Sequence, residues 1–71
     1  MKKYYYFVAK CSTNIMNVNS CAILESDIGE FDIVEAQRKM ARHHGVDFGK
    51  VVITFYHEIS KQMADKFNES I

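Results

Sequence analysis

Tyr4-Tyr5-Tyr6-Phe7-Val8-Ala9 places rings on both sides of a single strand. Successive side chains of an extended chain point to opposite faces of a sheet, so Tyr5 and Phe7 enter a core only if Tyr4 and Tyr6 look the other way. Val51-Val52-Ile53-Thr54-Phe55-Tyr56 repeats the pattern later in the chain. At a strict two-residue period, Tyr5, Phe7, Val51, Ile53 and Phe55 share the face that meets a helix. Tyr4, Tyr6, Val8, Val52, Thr54 and Tyr56 then share the second face. One short helix cannot cover both. The second face therefore calls for another cover: the tail of the chain, a second copy, another protein or a nucleic acid.

Working outward, residues 3–12 read as the first strand, and Ser12, Thr13, Asn14, Asn17 and Asn19 supply the turn-forming content after it. A second strand over about 18–25 carries Cys21 and Ile23 on one side and Ala22 and Leu24 on the other. A hairpin symmetric about Met16 sets Cys11 roughly opposite Cys21, where a cross-strand disulfide is geometrically conceivable. Reduced thiols are the expectation, because a cytoplasmic chain keeps them so.

Ser26 to Phe31, with Gly29 as its flexible point, connects to a helix that starts at Asp32. Asp32 suits the N-cap, and Glu35 stands where a capping-box partner would. Ile33, Ala36, Met40 and either Ala41 or His44 follow the three-four spacing of one buried stripe, which leaves Glu35, Arg38, Lys39 and Arg42 largely on the wet side. Gly45 supplies the left-handed stop, with Arg42, His43 and His44 in the last turn, where positive charge suits the helix dipole. Asp47 to Lys50 is a turn into a third strand, Val51 to Glu58. Ser60 then caps a short helix with Ile59, Met63, Phe67 and Ile71 along one narrow apolar stripe. Such a helix does not stand alone in water, so it docks on something.

The order is β-β-α-β-α, one small domain over residues 1–71. A right-handed crossover through the main helix makes strands two and three parallel, with strand one between them and antiparallel to both. The expected fold is a two-layer α+β domain: a three-stranded mixed sheet in the order 2-1-3, the main helix on one face and a short C-terminal helix. Strand three lies at an edge. An edge so apolar invites pairing with a second copy unless the C-terminal helix covers it.

A chain of 71 residues buries only about 60% of the surface its unfolded form exposes. Added stabilisation through a homodimer is therefore expected. The apolar content, 48%, and the charged content, 25%, belong to a chain that folds rather than to a disordered one. Nine basic residues are interspersed with nine acidic ones for a net charge of zero, so the clustered cations that release counterions from nucleic acid are missing. Lys2, Lys3 and Lys10 around strand one are countered by Glu25, Glu30, Asp32 and Glu35. The start Met1-Lys2-Lys3 is followed by an apolar run that ends at Lys10 with no small-residue cleavage site, so it reads as a strand and not a leader. No run approaches the roughly 20 apolar residues that span a bilayer. The expected location is the cytoplasm.

Chemistry has little footing. His57 and Glu58 alternate across a strand, and no Ser or Cys stands in a nucleophile motif. His43 and His44 point about 100 degrees apart on a helix, so they do not chelate one ion as an i, i+4 pair does. No catalytic residue, metal or cofactor is expected. The expected work is non-catalytic binding of a protein. Tyr4, Tyr6 and Tyr56 are the leading contacts, and Arg38, Lys39 and Arg42 on the helix follow, the rings supplying energy and the charges orientation. Val52, Thr54, Met63 and Phe67 are expected to pack against the tail or a second subunit. The alternative is an RNA- or DNA-binding module that stacks bases on the same rings. It lacks the Lys/Arg-Gly-aromatic pattern of RNA-binding sheets.

In Met1 to Lys10 and Lys50 to Ile59 the chain resembles a broad class of short proteins encoded by bacteriophages and prophages. These begin with Met-Lys and an aromatic-Phe-Val run and end on a Val-Val-Ile-x-aromatic strand. The class includes ββαβ anti-CRISPR inhibitors, which occupy a surface of a host defence protein. The resemblance implies a host protein as partner and inhibition or redirection as the action, within the host cytoplasm. It carries over no site residue.

Overall fold

The computed structural model describes residues 2–69. Its elements are β1 (Lys3–Ser12), β2 (Asn17–Ser26), α1 (Ile33–His44), a 3-10 turn (Phe48–Lys50), β3 (Val51–Ile59) and α2 (Lys61–Glu69). The sheet order is β2-β1-β3, with β1 antiparallel to both neighbours, so β2 and β3 run the same way on either side of it. This is the expected α+β layout, and α1 is the crossover that joins the two outer strands.

The β1–β2 turn is organised by Thr13. Its hydroxyl donates to the carbonyl of Met16 at 2.7 Å and accepts from the amides of Ile15 and Met16 at 3.3 and 3.1 Å. This closes the loop before Met16, with Ser12 opposite Asn17, and not symmetrically about it. The hairpin is thus not the symmetric one that would set the two cysteines opposite each other. Cys11 faces Val18 and Cys21 faces Val8. By the alternation of side chains, Cys11 lies on the face of Phe7, where it is fully buried, and Cys21 lies on the face of Val8, where it is exposed. A disulfide between them has no geometry.

The core forms where β1 meets α1. Phe7, Ala9 and Cys11 alternate down one face of β1 and join Leu24 of β2, Val51 of β3 and Ala36, Met40 and Ala41 of α1. The alanines let the helix lie close, while Phe7 and Met40 carry the apolar area, each contributing about 1.5–3 kcal/mol when fully buried. Asp32 caps α1, accepting from the amide of Glu35 at 3.1 Å. The Glu35 carboxylate turns to Arg38 instead, at 3.3 Å, so the reciprocal half of a capping box is not made. At the other end Gly45 adopts φ 67 and ψ 34, the left-handed stop expected of it.

Ile33 departs from expectation. The three-four spacing sets it at the head of the buried stripe, yet it is 49% exposed. Phe31, before the cap, takes that place with its ring 5.4 Å from Tyr5 and 6.0 Å from Phe7. An apolar residue just outside the N-cap that packs back onto the core fixes the angle at which the chain enters the helix.

α2 covers the face that α1 leaves open. Ser60 caps it as expected, accepting from the amide of Met63 at 3.1 Å. Ala64 is buried, and the ring of Phe67 meets that of Tyr6 edge-on at 6.0 Å. Ile23, opposite Tyr6 on β2, is buried on the same side. The inward line of the helix is thus Ala64 and Phe67, and Met63 of the expected stripe stays 59% exposed. Ile71 lies outside the described residues. No helix among the described residues is long and apolar enough to cross a membrane.

Candidate functional site

Thr54 decides which side chains β3 presents. Opposite β1, Val8 pairs with Phe55 but Ala9 pairs with Ile53, so one extra residue sits between them. The Thr54 hydroxyl donates to the carbonyl of Val8 at 3.2 Å. A bulge of this kind sets two residues against one, and beyond it the faces of the strand are exchanged. Val51 and Ile53 stay with the core face, as expected. Phe55 and Tyr56 are each on the face opposite to the one expected.

The tyrosines singled out from the sequence therefore do not form one platform. Tyr4 donates to the Glu25 carboxylate at 3.2 Å, beside the Lys2–Glu25 ion pair at 3.4 Å. Tyr6 lies between Phe67 of α2 and Phe55 of β3, both edge-on, at 6.0 and 6.4 Å. The Cys21 side chain beside it, as a hydrogen-bond partner and as a negative charge when ionised, holds the Tyr6 pKa above the usual 10.0. Tyr56 belongs to the α1 side, where its ring lies flat on Phe31 with centroids 4.2 Å apart and planes within 4°. Phe55 takes the place on the outer face that strict alternation gives to Tyr56.

What remains uncovered is concentrated on β3. Val52 is 57% exposed, and Phe55 and Tyr56 are each 53% exposed. The first two are on the outer face and Tyr56 is on the inner one. Neither Val52 nor Thr54 is covered by the tail, because α2 packs over β1 and β2. β3 is also an edge strand, with no strand beyond it among the described residues. Where it begins, the side-chain amide of Gln37 donates to the carbonyl of Val51 at 3.0 Å.

The basic residues of α1 separate. Arg38 is engaged by Glu35 at 3.3 Å. Lys39 and Arg42 stand along the opposite edge of the sheet, where a cleft of about 460 Å³ runs beside β2. Its walls carry Lys39, Arg42 and His43, and its floor is Ala22, Ile23 and Met40. Phe67 and Asn68 of α2 bound it from the other side, next to the exposed Cys21. Lys39 donates its ammonium to the carbonyl of Ile23.

The histidines are dispersed. His43 and His44 meet edge-on at 4.9 Å, His44 shares a hydrogen bond with Ser20 at 2.9 Å, and His57 is exposed opposite Tyr6. Among the described residues, no group of three or more His, Cys, Asp or Glu side chains is gathered as a metal site.

Sequence reasoning missed Phe31, Phe55 and the β2 edge. Threonine is an ordinary strand residue and marks no bulge, whereas Phe31, apolar and directly before the Asp32 cap, stands in the position of a hydrophobic staple. No family model, no curated protein and no solved structure matches the chain.

Proposed function

We propose that this chain is a non-catalytic binding protein that attaches to another protein through β3 and the rings beside it. The supporting observation is the exposure of Val52, Phe55 and Tyr56 on a strand whose outer edge is unpaired. An apolar edge strand is a template for a further strand, and aromatic side chains with few degrees of freedom make efficient anchors. Phe55 presents its ring on one face of the strand and Tyr56, braced by Phe31, on the other, so a partner can grip both sides of the edge.

The resemblance to small phage-encoded proteins supports a host protein as that partner, with inhibition or redirection as the consequence. A second copy of the chain, making a homodimer, is the competing occupant of the same edge. The base-stacking alternative has less support, because Tyr6 is covered by Phe67 and Tyr56 is turned to the other face.

Affinity capture from a bacterial lysate, with and without nuclease, tests the reading when wild type is compared with the Val52→Ser/Phe55→Ser double variant. The reading expects one protein that wild type retains after nuclease and the double variant loses. Recovery that nuclease abolishes favours the nucleic-acid module. A wild type that sediments as a dimer, with the double variant monomeric and nothing else captured, assigns the edge to self-association and overturns the proposal.

A further inference from the structure

The cleft on the other edge of the sheet has a definite chemical character, and it does not depend on the β3 surface. The side on which the backbone groups of β2 point follows from the ladder. The carbonyl of Val8 faces β3, where Thr54 donates to it. Along a regular strand this direction repeats every second residue, so Tyr6 faces β3 too. Tyr6 and Val8 are opposite Ile23 and Cys21. Those two pairs are therefore of the kind that exchanges no hydrogen bonds, and the N–H and C=O groups of Cys21 and Ile23 point away from the sheet into the cleft. Consistently, the carbonyl of Ile23 takes its proton from the Lys39 side chain.

We propose that this cleft binds an extended acidic peptide, which adds to β2 as a fourth strand between α1 and the C-terminal end of α2. Main-chain groups of Cys21 and Ile23 supply the ladder, as in strand addition generally. The peptide's alternate side chains meet two different surfaces. One set reaches Ile23 and Phe67 on the α2 side, and the other meets Lys39, Arg42 and His43 beside Ala22 and Met40 on the α1 side. No carboxylate is among the described residues that line the cleft, and Lys39 and Arg42 give its α1 wall positive charge. On binding, Lys39 gives up the Ile23 carbonyl to a peptide N–H and turns to a peptide carboxylate. The lysine thus blunts the edge when the cleft is empty and recruits the ligand when it is filled.

The test is amide NMR of the full chain with a mixture of short, end-blocked peptides in which Asp or Glu alternates with Val, Ile or Phe. The same peptides with Lys for the acids, and a single-stranded oligonucleotide, serve as comparisons. The expected result is slowed exchange of the Cys21 and Ile23 amides with the acidic peptides alone. Binding should weaken about tenfold in Arg42→Gln, which removes one close charge pair and preserves helix propensity, and further in Arg42→Glu, which sets a like charge against the peptide. Phe55→Ser should bind as wild type does, which separates this site from the β3 surface. The proposal is overturned by any of three results: no binding of acidic peptides at millimolar concentration, equal binding of the lysine peptides, or binding of peptide or oligonucleotide that leaves the Cys21 and Ile23 amides unprotected.

Discussion

Thr54 donates its hydroxyl to the carbonyl of Val8 at 3.2 Å, at the one point where the third strand slips against the first. Phe55 rather than Tyr56 consequently shares a face with Tyr6, and Tyr56 is released to stack on Phe31. The same bulge twists an apolar edge that would otherwise be flat, a known device against unwanted strand pairing.

Deleting Thr54 should leave the fold in place, because Phe55 already opposes Val8 and Ile53 already opposes Ala9. A straight, unbulged β3 edge is then the result. Sedimentation should show stronger self-association than wild type at equal concentration. A deletion variant that is folded and no more associated than wild type would show that the bulge has no protective role.

Phe67→Ala removes the ring that holds α2 against Tyr6. A fully buried Phe→Ala change costs ~3–5 kcal/mol, and Phe67 is half-buried, so about 2 kcal/mol is expected from urea unfolding. Hydrogen exchange should accelerate through residues 61–69 before the β1–β2 ladder loses protection, since a helix this short has little stability once undocked.

Gly45→Ala isolates a backbone effect. Gly45 sits at φ 67, and a Cβ there would meet nothing within 4 Å. The loss is therefore the local strain of a Cβ at positive φ, about 1 kcal/mol, with no clash against other segments. A thermal shift well beyond that would mean that Gly45 has a packing role not visible in its surroundings.

The two thiols should react in sequence. Cys21 is exposed and should take up a maleimide under native conditions, while fully buried Cys11 should react only as the chain unfolds. Burial raises the Cys11 pKa above the usual 9.0 by penalising the thiolate. A pKa higher in the folded state gives stability that is complete below the unfolded value, near 9.0, and is lost as pH rises through the folded one. Tyr6 acts in the same sense above its usual 10.0, through the neighbouring Cys21 side chain. Urea midpoints should therefore fall on the alkaline side, and the fall should be shallower in Cys11→Ala. An identical slope in the variant would remove Cys11 as its source.

Much of the architecture was legible in the chain because its signals are local. Strand periodicity, the Asp32 and Ser60 caps and the left-handed Gly45 depend on residues within a few positions of one another, and the order β2-β1-β3 follows from crossover geometry. The hairpin register was harder to read. The Thr13 hydroxyl closes the loop, and this sets Cys11 and Cys21 on opposite faces.

By itself the sequence determined the elements, their order and the apolar side of α1 from Ala36 onward. Only the tertiary structure decided which rings share a face, because the bulge at Thr54 is a property of two strands in contact: it depends on where β1 holds β3, and a single extra residue inverts everything after it. It likewise decided that α2 packs on the side of Tyr6 and that Lys39 and Arg42 part from Arg38 to face the β2 edge. Side-chain spacing along one helix specifies a direction around its axis, but what stands in that direction is set by distant segments, Cys21 to Ile23 and Phe67 among them.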